Sequence, residues 1–182
     1  MTPVPEWTVS YDVGSAAELQ ALAAVLAGHL RAGDLLVLSG ELGAGKTTFT
    51  QGLGRGLAVQ DRIISPTFVL VRQHPARDGR PGLVHVDAYR LESAAAVDDL
   101  DLEATLDANV TVIEWGAGRV EHLADSWLRV EIIRPLGGAG PDGPGAGPVT
   151  DFADDGEDEV RTVTLSGAGP RWAGGPPALP LD

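Results

Sequence analysis

One lysine occurs in the chain, Lys46, and it stands inside Gly40-Glu41-Leu42-Gly43-Ala44-Gly45-Lys46-Thr47. That run fits the phosphate-loop pattern G-x-x-x-x-G-K-[ST]. Twelve arginines supply every other basic side chain. A chain that uses arginine everywhere else and lysine here points to a site needing a compact ammonium on a flexible stem rather than a planar fork. Context agrees with the motif. Asp34 to Ser39 ahead of the loop is a short apolar run, the pattern of a buried parallel strand, and Thr47 to Leu57 behind it reads as a helix. Strand, glycine turn and helix is the order that such a loop requires.

The chemistry follows from the backbone. Gly40, Gly43 and Gly45 allow angles barred to residues with a Cβ, so successive N–H groups can turn inward as an anion cradle at a helix N-terminus. Lys46 is expected to neutralise the β- and γ-phosphates of a nucleotide, and the Thr47 hydroxyl to ligate Mg²⁺.

Composition narrows the rest. With 182 residues, 43% of them apolar, the chain reads as one globular domain over residues 1–166. Cysteine is absent, which excludes disulfides, a thiol nucleophile and a Cys-based zinc site. His29, His74, His85 and His122 show no metal-ligand spacing and read as surface or core histidines. No signal-peptide core or 18-residue apolar span occurs, which predicts a soluble, cytoplasmic protein without membrane contact. A net charge of −13 argues against direct binding of a polyanion, so contact with nucleic acid would run through a partner.

Along the chain, Val4 to Tyr11 reads as an opening strand. Ser15 to Leu30 reads as a helix with Leu19, Leu22, Leu26 and Leu30 on one face and Ser15 as N-cap beside Glu18. Ile63 to Arg72 is β-rich but interrupted by Pro66, and Leu83 to Asp87 is a further strand. Ser93 to Leu106 is expected to be helical, Val110 to Glu114 to be a strand, and Trp127 to Ile133 with Arg161 to Leu165 a late strand pair. Between that pair, residues 135–160 are rich in Gly, Pro and Asp and read as a mobile insertion, and residues 167–182 as a flexible tail.

Two strands end in an acid, Asp87 and Glu114. Open α/β sheets bind ligands just beyond the carboxyl ends of their strands, so both acids are candidates to face the phosphate loop. An aspartate closing an apolar strand matches the Walker B arrangement, holding Mg²⁺ directly or through water. Glu114 has two possible tasks, metal ligation or activation of water. Trp115 is a candidate to stack on a base or partner, or to pack in the core. Ser65-Pro66-Thr67-Phe68 reads either as a switch-like loop whose Thr67 senses the metal or γ-phosphate, or as an edge strand with a proline bulge.

Taken together, Gly-Glu-Leu-Gly-Ala-Gly-Lys-Thr-Thr at 40–48, Ser-Pro-Thr-Phe at 65–68, His-Val-Asp-Ala-Tyr-Arg at 85–90 and Ile-Glu-Trp at 113–115 resemble the bacterial TsaE (YjeE-type) ATPases in order and spacing. The resemblance spans about residues 9–134. It implies an ATPase in formation of threonylcarbamoyladenosine on tRNA, working beside a TsaD–TsaB pair whose complex it resets between turnovers and meeting tRNA only through those partners. Carried over, Gly43, Ala44, Gly45, Lys46, Thr47 and Thr48 bind the triphosphate. Thr47 and Glu114 ligate Mg²⁺, Asp87 takes the Walker B role, Thr67 is a switch residue and Ser15 lies near the nucleotide.

The fold expected is a three-layer α/β P-loop domain, with a mainly parallel central sheet and antiparallel strands at its edges. Catalysis is expected to be electrostatic and slow without partners, since no arginine finger is evident beyond Arg90. Two other readings share the loop. One is a small-molecule kinase, for which the short Arg72 to Arg80 loop is a poor lid. The other is an assembly switch driven by nucleotide occupancy alone.

Overall fold

A computed structural model describes residues 4–134 and 159–179. Seven strands form one sheet in the order β1-β7-β6-β2-β5-β4-β3. They are β1 (Trp7–Val13), β2 (Leu35–Ser39), β3 (Val71–His74), β4 (Gly82–Asp87), β5 (Asn109–Glu114), β6 (Trp127–Ile133) and β7 (Arg161–Ala168). The central four, β6, β2, β5 and β4, run parallel, while β3 pairs antiparallel with β4, and β7 and β1 continue antiparallel beyond β6. The expected parallel centre with antiparallel edges is what the sheet has.

Residue type explains the layering. β2 carries four consecutive fully buried residues, Leu35 to Leu38, because a central parallel strand is covered on both faces. Leu36 and Leu38 join one core with α1 (Ala16–Ala27) and α2 (Lys46–Gly56). Leu35 and Val37 join the other, with Val97 of α3 (Ala94–Asp98) and Leu102, which caps α4 (Glu103–Leu106). Each wholly buried leucine stabilises by about 1.5–3 kcal/mol, so this alternation fixes which face every later side chain occupies. The outer strands show the other pattern. β1 and β7 alternate, and their polar side pairs Thr8 with Ser166, Ser10 with Thr164 and Asp12 with Thr162 across the strands.

Helix α2 is seated by close approach. A Cβ at Gly52 would stand 2.4 Å from the Gln20 carbonyl, and one at Gly56 2.5 Å from that of Ala24. These two glycines, one turn apart, let α2 lie directly on α1 and so set the position of the loop at its N-terminus. Ser15 caps α1 by accepting the Glu18 N–H at 3.1 Å, and the Glu18 carboxylate accepts the Gly14 N–H at 2.7 Å, a reciprocal arrangement that ends strand β1 cleanly.

Four expectations are corrected. Residues 93–106 form two short helices rather than one, because Asp101 adopts φ +51° and breaks the turn between them. The β-rich segment from Ile63 contributes only β3, from Val71 onward, and residues 67–70 turn back instead, with the Leu70 N–H on the Pro66 carbonyl and Leu70 at φ +65°. The opening strand starts later, at Trp7. The region from 167 is packed rather than loose: β7 runs to Ala168, Trp172 is buried edge-on to Trp7 at 6.4 Å, and the Trp7 indole N–H donates to the Trp172 carbonyl at 2.7 Å. Aromatic burial outweighs a Gly- and Pro-rich composition there. The insertion read at residues 135–160 lies outside the described residues except for its last two.

Candidate functional site

The loop between β2 and α2 is shaped by glycine. Gly43 and Gly45 sit at φ +78° and +110°, and a Cβ on Gly45 would lie 2.7 Å from the Leu19 side chain. Only a residue without a Cβ holds this path at no steric cost. The first i→i−4 bond of α2 joins the Phe49 N–H to the Gly45 carbonyl at 2.8 Å. The N–H groups of Lys46, Thr47 and Thr48 therefore belong to the open first turn, where the helix has no acceptor for them and presents positive potential. A peptide cradle of this kind fits a phosphate chain.

Lys46 is buried, with only 5% of its surface exposed. Its Nζ folds back to donate to the carbonyls of Gly40 and Glu41, both at 2.9 Å, and lies 4.1 Å from the centroid of the Trp115 ring. Burial lowers its pKa from the usual lysine value, while the charges of Glu114 and Asp87 act in the opposite direction. Trp115 itself holds φ +62°, strained backbone for a bulky residue. Its N–H is tied to the Leu38 carbonyl, its carbonyl accepts from Arg119, and its ring meets Tyr89 edge-on at 5.4 Å. Position 115 thus places an indole against the ammonium rather than in the core.

Register brings the two acids together. Glu114 on β5 pairs with Leu38 of β2 on one side and with Asp87 of β4 on the other. Leu83 and Val112 belong to the α1/α2 core, so by strand alternation Asp87 and Glu114 face the side on which α2 begins. Asp87 is 4% and Glu114 3% exposed. Asp87 accepts from the Thr67 hydroxyl at 2.7 Å and from the Tyr89 N–H at 3.0 Å, and Ser65 in turn bonds Thr67 at 2.7 Å. The Ser-Pro-Thr-Phe segment is therefore a turn hung on Asp87, and not an edge strand.

Ser15 stands apart from this constellation. Its hydroxyl is engaged in capping α1, and it reaches the loop only through Leu19 one turn on, whose side chain packs at Gly45. Three residues come to the site that the sequence did not offer for it. His85, fully buried, bonds Glu114 at 2.7 Å. Arg134, at the end of β6, donates to the Gly43 carbonyl at 3.3 Å, and Arg161, at the start of β7, lies beside Gly45. For His85 a signal existed, since it precedes Asp87 by two in a strand and so shares its face. For the arginines there was none, because the β6 and β7 contacts to residues 43 and 45 exist only once the sheet is assembled.

The donor set suits a nucleotide with a hard divalent cation. Among the described residues no group of three or more His, Cys, Asp or Glu side chains could hold a metal alone. Mg²⁺ fits such a place, since it keeps waters, takes one or two carboxylates and completes its shell with phosphate oxygens. Among the described residues, no helix is long and apolar enough to cross a membrane.

The family model described as "Threonylcarbamoyl adenosine biosynthesis protein TsaE" matches residues 13–136. A protein of Streptomyces coelicolor named tRNA threonylcarbamoyladenosine biosynthesis protein TsaE is 50% identical over 149 residues, covering 81% of this chain and 89% of that one. Its namesake in Bacillus subtilis is 37% identical over 118 residues, covering 64% and 72%. The crystal structure of YdiB from Bacillus subtilis superposes with a TM-score of 0.65 at 27% identity, covering 91% of this chain and 89% of that one.

Proposed function

The chain belongs to the TsaE family, and on that footing we propose that it is a Mg²⁺-dependent ATPase of tRNA threonylcarbamoyladenosine formation. It hydrolyses ATP to support turnover of a TsaD–TsaB pair, and meets tRNA only through those partners. The observation that carries this is the convergence of the buried Lys46 ammonium with Asp87 and Glu114, at the carboxyl ends of three adjacent parallel strands, beside a glycine cradle.

In this reading the N–H groups from Gly43 to Thr48, Ala44 included, hold the phosphate chain, and Lys46 exchanges its two backbone carbonyls for phosphate oxygens. Mg²⁺ would be held by Thr47 and Glu114 with Asp87 near, and would supply neutralisation of phosphate charge. Preorganised donors in a site of low exposure stabilise the charge that develops on the γ-phosphoryl group. Thr67 couples the 65–70 turn to Asp87, so a change at Asp87 reaches the exposed Phe68 and Val69. Trp115 backs the ammonium, while Ser15 is engaged in capping α1 and takes no direct part. Exposed Phe68, Val69 and Tyr89 beside the acids support a site completed by partner proteins.

The test is incubation with γ-labelled ATP, alone and with TsaD and TsaB. Label in inorganic phosphate, with release rising when the partners are present, is the expected result. Label in a small organic acceptor would instead establish a kinase. Full tRNA modification over many turnovers with a non-hydrolysable analogue would leave only an occupancy switch.

A further inference from the structure

We propose that His85 is a positioning residue for Glu114, fixing which of the two carboxylate oxygens faces the nucleotide. This rests on the ATPase reading above, under which Glu114 serves the metal or the attacking water. The pair is wholly internal. His85 is 0% and Glu114 3% exposed, and Nε2 lies 2.7 Å from Oε1. Because β4 and β5 are in parallel register with Asp87 beside Glu114, His85 stands one same-face step behind both acids, on the side away from the loop.

The direction of the hydrogen bond follows from what surrounds the ring. Among the described residues, Nδ1 is buried without a partner. A proton there would be an unsatisfied buried donor, whereas a bare lone pair is the lesser cost. The proton therefore sits on Nε2, and His85 donates to Oε1. Glu114 has no second side-chain partner among the described residues, so Oε2 is the oxygen left to act.

Electrostatics gives this restraint a purpose. Glu114 and Lys46 lie within each other's field, and in a region of low exposure a free carboxylate would swing onto the ammonium. That contact would quench both groups. His85 holds the acid back in its strand and keeps Lys46 available to phosphate. The arrangement parallels the partners that orient metal-binding side chains, whose loss typically weakens metal affinity about 10–100-fold.

The experiment measures Mn²⁺ affinity of the full-length protein–ADP complex by electron paramagnetic resonance, alongside ADP affinity in EDTA. His85→Leu is expected to bind Mn²⁺ about 10–100-fold more weakly, with a smaller loss of ADP affinity in EDTA as Glu114 is drawn onto Lys46. His85→Gln, whose amide nitrogen reaches nearly as far as Nε2, should recover most of the loss. In a Glu114→Ala background His85→Leu should add nothing, since the two act as one unit. If His85→Leu does not fold, His85→Asn against His85→Gln carries the comparison, because the asparagine amide stops short of Glu114. Equal Mn²⁺ affinity in wild type and in the donor-lacking variant, or an additive loss with Glu114→Ala, overturns the inference alone. Absence of Mn²⁺-dependent ADP binding in the wild type overturns the ATPase reading, and this inference with it.

Discussion

Buried charge occurs at both ends of the parallel strands, and the two ends treat it differently. At the start of β2, Asp34 is 3% exposed, and both of its oxygens are taken. Arg171 donates to them at 2.9 and 3.1 Å in a two-pronged contact, and the Arg31 N–H adds a third bond at 2.9 Å. Arg171 also reaches the His29 carbonyl and stacks on Trp172. At the far end of the same strand, Lys46, Asp87 and Glu114 are equally buried but do not pair with one another. Their contacts run instead to backbone carbonyls, a threonine hydroxyl and a histidine.

The contrast teaches that burial of charge does not mark a site, whereas burial without mutual neutralisation does. It also explains why a concavity of about 500 Å³ bordered by Arg31, Asp34, His122 and Arg171 is a poor candidate. There Arg171 is already bound to Asp34, and His122 to Asp98 at 2.6 Å.

Substitutions at the two ends should separate function from stability. Lys46→Ala is expected to lower ATP turnover by about 10²–10³-fold, with the unfolding midpoint little changed, as the two carbonyls it leaves are near solvent. Turnover at the wild-type rate would erase the distinction between the ends. Arg171→Ala should do the reverse, costing about 3 kcal/mol in urea unfolding by stranding Asp34, while nucleotide affinity of the folded protein holds. A parallel loss of nucleotide binding would show that the ends are coupled.

Glu114→Ala blurs the contrast in a defined way. Hydrolysis should drop about 10²-fold. Stability should also fall, by about 1–3 kcal/mol, because the His85 donor is left unpaired. Phosphate release and chemical unfolding on one preparation check both, and full activity would remove Glu114 from the site.

The smallest effect concerns His74, buried on β3 with neither ring nitrogen partnered among the described residues. Burial first, then the neighbouring His85, lowers its pKa from the usual value, with Asp61 opposing and Arg72 assisting. The unfolded chain then takes up a proton that the folded one refuses. Stability is therefore complete above about pH 6.5 and is lost as pH falls from there through the lower folded value. His74→Leu should flatten that slope in urea midpoints between neutral and mildly acid buffer. An unchanged slope would assign the acid sensitivity elsewhere.

Much of the site was legible because its chemistry is local. The glycine spacing of the loop, the acid closing each of two apolar strands, and the Ser15 cap are all written within a few residues. What was misread depends on distant contacts. The helix expected over 93–106 has a helical pattern of apolar residues, but nothing nearby states that Asp101 turns left-handed. The final segment reads as loose from its composition, and Trp7 at the other terminus decides otherwise. Nothing near Lys46 in the chain announces its burial, which Trp115, 69 positions later, provides.

Sequence by itself determined the loop, the strands, the faces they bury and the residue types available for phosphate and metal. These follow from steric limits on φ and from apolar periodicity, both properties of short stretches of chain. The tertiary structure decided the register of β2, β4 and β5, and with it that Asp87 and Glu114 are neighbours, that His85 bonds Glu114 and that the Lys46 ammonium is spent on backbone carbonyls. Register depends on which strands lie side by side, and that is settled by burying both faces of the sheet at once.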